Sequence, residues 1–82
     1  MSEKETRLKR LKIRSWRRGM KEMDLILGGF FDRHGTEMDD RTLDLYEALL
    51  SENDQDLYLW VSGQADIPPE HTEIIDRISN SA

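Results

Sequence analysis

The 82-residue chain contains no cysteine, so disulfides, thiolate metal sites and cysteine nucleophiles are all excluded, and a reducing compartment suits it. Histidine is scarce. His34 and His71 stand alone, and neither has a second His or Cys three or four residues away to share a metal on one helix face. Both therefore read as surface histidines. Long apolar runs are missing too. Leu25-Ile26-Leu27 gives way to Gly28-Gly29 well short of the ~20 residues that span a bilayer, so no membrane crossing is expected. A chain of this size holds one domain, near the lower limit for an unaided core, and a deep cofactor pocket is not expected.

What is present is charge, unevenly placed. The net charge of −5 combines a basic start with an acidic remainder. Lys4, Arg7, Lys9, Arg10, Lys12, Arg14, Arg17, Arg18 and Lys21 precede a body in which only Arg33, Arg41 and Arg77 are cationic. Such a head points to an acidic protein surface or a nucleic acid as partner. The acids Glu3 and Glu5 within it argue against a transit peptide.

Apolar residues recur at helical, never at alternating, spacing. The pattern predicts an all-α, single-domain bundle of five helices over residues 1–82, with ends frayed at 1–3 and 79–82. The first helix runs from Glu3 to Trp16 around Leu8 and Leu11. The second starts at Arg18, carries Met20, Met23, Ile26, Leu27, Phe30 and Phe31, and is capped near Gly35. Within it Gly28-Gly29 implies a kink or the close approach of a neighbouring helix, the latter being our expectation. Asp39 or Asp40 caps a third helix with Leu43, Tyr46, Leu49 and Leu50. Asn53 or Asp54 caps a fourth with Leu57, Trp60 and Val61, stopped by Gly63. Pro68-Pro69 open a fifth containing Ile74, Ile75 and Ile78.

The carboxylates Asp39, Asp40, Asp54 and Asp56 fall where helices begin, so capping explains them without chemistry. Asn53-Asp54-Gln55-Asp56 lacks the Gly and the distal Glu of a calcium loop. No catalytic residue and no metal ligand stands out. A nucleic-acid reading of the basic head, with Trp16 stacking on a base, is the runner-up, but the acidic body would repel a polyanion and no recognised nucleic-acid-binding signature follows.

One stretch asks for more, Arg17-Arg18-Gly19-Met20-Lys21-Glu22-Met23-Asp24. As a helix-surface ion pair, Arg18 and Glu22 would contribute only about 0.3–0.5 kcal/mol. Gly19 between them is a poor helix former that permits close approach of another molecule, so the patch reads as a contact surface. Arg18-Gly19-Met20-Lys21-Glu22 resembles the RGxxE signature of the SdhE family of succinate dehydrogenase assembly factors. Arg17, Asp24, Phe30-Phe31, Leu49-Leu50, Asp54, Asp56, Leu57 and Trp60 extend the resemblance over most of the chain.

That resemblance implies a compact five-helix fold and a non-enzymatic role: binding the flavoprotein subunit of succinate dehydrogenase, or of the related fumarate reductase, and promoting covalent attachment of FAD to it. It implies Arg17, Arg18, Gly19, Glu22 and Asp24 as partner-binding residues, with FAD held by the partner subunit and none by this chain. The expected partner is protein, not nucleic acid or membrane. The free chain is expected to be a monomer, in the cytoplasm of a bacterium or the mitochondrial matrix of a eukaryote.

Overall fold

The computed structural model describes residues 2–81. Its helices are α1 (Glu3–Trp16), α2 (Lys21–His34), α3 (Asp40–Leu50), α4 (Asp54–Val61) and α5 (Thr72–Asn80), with 3₁₀ turns at Gly35–Glu37 and Pro69–His71. No strand occurs among the described residues, and no helix there is long and apolar enough to cross a membrane. The all-α expectation and the five helices hold. Of the ends expected to fray, Met1 and Ala82 lie outside the described residues.

Local chemistry sets most boundaries. Ser2 caps α1 by accepting the Glu5 N–H, Asp39 caps α3 through Thr42, and Asn53 caps α4 through Asp56. Gly63, at φ 78°, stops α4. Gly35 does not act as a left-handed cap: it stays right-handed and leads into the 3₁₀ turn. A Cβ on it would come within 2.9 Å of the Phe31 ring, so its bareness serves close packing. Pro69 opens a 3₁₀ turn, and α5 proper begins only at Thr72.

α1 and α2 form an antiparallel hairpin, with Lys12 facing Asp32. The close approach expected at the glycine pair is found at Gly28, where a Cβ would collide with the Trp16 indole. Gly29 meets only the Arg33 side chain of its own helix. The core gathers Leu11, Met23, Leu27, Phe30, Phe31, Met38, Leu43, Tyr46, Leu49, Leu50, Leu57, Ile74, Ile75 and Ile78. At its centre the Tyr46 ring stacks on Phe31 at 5.4 Å. Ion pairs close the outside, Arg7 reaching Asp44 and Glu47 of α3 and Arg41 gripping Glu73 of α5 through two hydrogen bonds.

His71 corrects the surface reading. It is buried, its Nε2 lies 2.9 Å from a Glu52 carboxylate oxygen, and its ring packs on Trp60. Its place after Pro68-Pro69 and before the Ile74-Ile75 stripe turns it inward, where one carboxylate satisfies one ring nitrogen. His34 is half-buried beside Glu37.

Candidate functional site

The motif does not lie on one helix. α2 begins at Lys21, so Arg18, Gly19 and Met20 form the corner between α1 and α2. Two carboxylates hold the corner out of helical conformation. The Arg18 backbone N–H donates to Asp24 Oδ1 at 2.6 Å, and the Gly19 N–H donates to Asp54 Oδ2 at 2.6 Å. Residues 18 and 19 therefore spend their amides on side chains rather than on a helical ladder. Gly19 does not need a left-handed backbone, since Gly63 is the one positive-φ residue among those described. What its bareness gives is room, because a Cβ would lie 3.3 Å from Asp54 Oδ2.

The Arg18–Glu22 helix pair considered from the sequence does not form. Arg18 turns inward, its side chain 11% exposed, and makes three hydrogen bonds. Nε donates to Asp54 Oδ1 at 2.7 Å, Nη1 to the Leu50 carbonyl at 2.8 Å, and Nη2 to the Glu52 carbonyl at 2.7 Å. Leu50 ends α3, and a helix leaves its last carbonyls without intrahelical donors. The planar guanidinium fork suits this task of joining one carboxylate and two carbonyls. Arg18 thus ties the α1–α2 corner to the α3–α4 corner. Asp54, read from the sequence as a capping residue, gives both carboxylate oxygens to Arg18 and Gly19, while Asn53 performs the cap.

The five motif residues thereby divide by direction. Arg18 and Asp24 face inward and hold the corner. Arg17, Gly19 and Glu22 are exposed, and neither Arg17 nor Glu22 makes an ion pair or side-chain hydrogen bond with the described residues. Glu22 projects from the first turn of α2, where the helix dipole favours an anion, and Leu25 stands 58% exposed about one turn further on. An unpartnered carboxylate and guanidinium on a rigid corner offer charge-assisted hydrogen bonds to another molecule. Asp54 does begin α4, as its place after Asn53 suggested, but the partners of its carboxylate were not legible from spacing, because only the fold brings it to Arg18 and Gly19.

No group of three or more His, Cys, Asp or Glu able to hold a metal occurs among the described residues. Two open surface hollows are the most spacious of those described. One of about 380 Å³ between α2 and α5 is open and carries Glu37, Asp76 and Arg77. Another of about 410 Å³ is lined only by Glu3, Thr6, Arg7 and Arg10 of α1.

Fold and corner together define a small all-α protein whose distinctive surface is a charged corner locked from within. Residues 9–82 match the family described as flavinator of succinate dehydrogenase, and the chain belongs to that family. It is 39% identical over 66 residues to mitochondrial succinate dehydrogenase assembly factor 2 of Meyerozyma guilliermondii, covering 80% of this chain and 49% of that protein. It is 36% identical over 64 residues to the FAD assembly factor SdhE of Legionella pneumophila, covering 78% of this chain and 81% of that one. Against the mitochondrial assembly factor 2 of Dictyostelium discoideum it is 33% identical over 81 residues, 98% of this chain and 57% of the relative. The chain spans about half the length of the yeast relatives that it matches.

Proposed function

We propose that this chain is a non-catalytic assembly factor that docks on the flavoprotein subunit of succinate dehydrogenase and promotes covalent attachment of FAD there. The observation that carries this reading is the corner itself, where Arg17 and Glu22 are exposed without partners among the described residues while Arg18 and Asp24 fix the backbone beneath them. Membership in the flavinator family supports the client, and the likeness to the FAD assembly factor of Legionella supports the cofactor.

The chain's own residues bind and orient. Glu22 and Arg17 form charge-assisted hydrogen bonds to the client, and Gly19 lets the two backbones approach. A partner that prefers one conformation of the client raises its population, and aligning a histidine with the flavin lowers the entropic part of the barrier. FAD stays with the client. The related fumarate reductase subunit is a second client of the same kind. The free chain acts as a monomer, in the bacterial cytoplasm or the mitochondrial matrix.

A protein partner is favoured over nucleic acid by how the basic head is used. Arg7, Lys12 and Arg18 are engaged by the chain's own carboxylates, leaving fewer cations for a phosphate track. The test is coexpression of the flavoprotein subunit with and without this chain, followed by flavin fluorescence of the denatured subunit in a gel. Fluorescence that depends on the chain supports the reading, and equal fluorescence without it rejects the reading.

A further inference from the structure

Asp54 lies outside the motif, 35 residues from Gly19, and is the one side chain among the described residues that grips two consecutive motif residues. Each of its oxygens has its own donor, Nε of Arg18 on one side and the Gly19 amide on the other. Its side chain is 16% exposed, and it neutralises a guanidinium that is still less exposed. Helix capping does not need it, since Asn53 supplies the cap of α4. We propose that Asp54 is the positioning residue of the docking corner, setting the backbone path through Arg18 and Gly19 and hence the direction in which Glu22 and Arg17 meet the client. The inference rests on the docking reading above.

The physical reason is the pairing of charge and amide. Without the carboxylate, a mostly buried cation faces only the carbonyls of Leu50 and Glu52, and the Gly19 N–H loses its acceptor. The cheapest relief is for the guanidinium to swing into water and the corner to open. Glu22 enters α2 only three residues after Gly19, so a change in the corner redirects it. An Asn at this position can accept from one of the two donors while its NH₂ confronts the other.

The experiment uses the full chain with Asp54→Asn. Three quantities are measured: hydrogen exchange of the Gly19 amide by NMR, affinity for the flavoprotein subunit by calorimetry, and the effect of Glu22→Gln on that affinity in both backgrounds. The expected result is Gly19 exchange at least ~10-fold faster and binding at least ~10-fold weaker, with an unchanged helical circular dichroism spectrum. Glu22→Gln should then cost less affinity in the Asp54→Asn background than in the native one, because a misdirected Glu22 has less to lose. A residue that serves stability alone would give additive effects. Unchanged Gly19 exchange, undiminished affinity or additivity each overturns the proposal. Failure of the native chain to bind the subunit at all overturns the docking reading first, while Gly19 exchange still reports the clamp on its own. If Asp54→Asn does not fold, Asp54→Glu, which keeps the charge and shifts it by one methylene, is read in the same three ways with smaller changes expected.

Discussion

The Tyr46 phenol and the Ser15 hydroxyl share a 2.6 Å hydrogen bond inside the core, joining α3 to α1. Ser15 Oγ also reaches the Leu11 carbonyl at 2.7 Å, and Tyr46 Oη the Leu27 carbonyl at 3.2 Å. Either group alone keeps one partner when the other is removed. Ser15→Ala and Tyr46→Phe should each cost about 1–2 kcal/mol, and the double variant less than their sum. Urea unfolding of the four proteins checks this. Strict additivity would mean that the two hydroxyls act independently.

Gly28 is fixed by Trp16, whose indole occupies the space of a Cβ and whose Nε1–H donates to Asp32 Oδ1 at 3.3 Å. On helix propensity alone Gly28→Ala would stabilise α2 by about 1 kcal/mol. Overpacking at this contact should win, for a net loss of about 1–2 kcal/mol and a red-shifted tryptophan emission as the ring is displaced. A gain in stability would show that the ring yields freely.

How much of this was legible without coordinates follows from the range of the interactions. Helix identity was, because the stripes of α3 and α5 and the caps Asp39 and Asn53 act over four residues or fewer. The start of α2 was misread at Arg18, because the amides there go to Asp24 and to Asp54, the latter a residue brought in by the fold. His71 was misread for the same reason, its partner Glu52 lying 19 residues away. The motif itself was legible as a patch, but the direction of its side chains was not: spacing that suggested an outward Arg18–Glu22 pair conceals an inward Arg18 and an outward Glu22.

Gly19 follows from that correction. On an exposed helix its replacement would be expected to stabilise the chain. In the corner, a Cβ 3.3 Å from a carboxylate with both oxygens engaged should crowd the clamp instead. Gly19→Ala should therefore lose up to about 1 kcal/mol, the scale of one net hydrogen bond, in a denaturant titration. A gain of the helix-propensity size would place residue 19 on a helix after all.

Stability should fall at both extremes of pH. Hydrogen bonds from Thr42 hold the Asp39 carboxyl below its usual range, and those from Arg41 do the same for Glu73. A depressed folded-state value means that this stabilisation is complete above the unfolded values of about 4 and is lost as pH falls through the lower folded ones. Asp39→Asn keeps a capping oxygen but no titration, so its stability should vary less between pH 5 and pH 2. At the other end burial pushes the Tyr46 phenol up, partly offset by its bond to Ser15. That contribution is complete below pH ~10 and lost as pH rises further, and Tyr46→Phe should flatten the alkaline limb. Unfolding curves of the three proteins across pH test both signs, and parallel curves would contradict them.

The central claim is that the exposed carboxylate of the corner serves the client and not the fold, and Glu22→Gln separates the two. Glu22 makes no ion pair among the described residues, so the isolated variant should melt within about 0.5 kcal/mol of the native chain. Coexpressed with the flavoprotein subunit of succinate dehydrogenase, it should leave that subunit with sharply reduced covalent FAD, read as flavin fluorescence of the denatured subunit. Full fluorescence with Glu22→Gln, or a loss of activity matched by an equal loss of stability, would contradict the account.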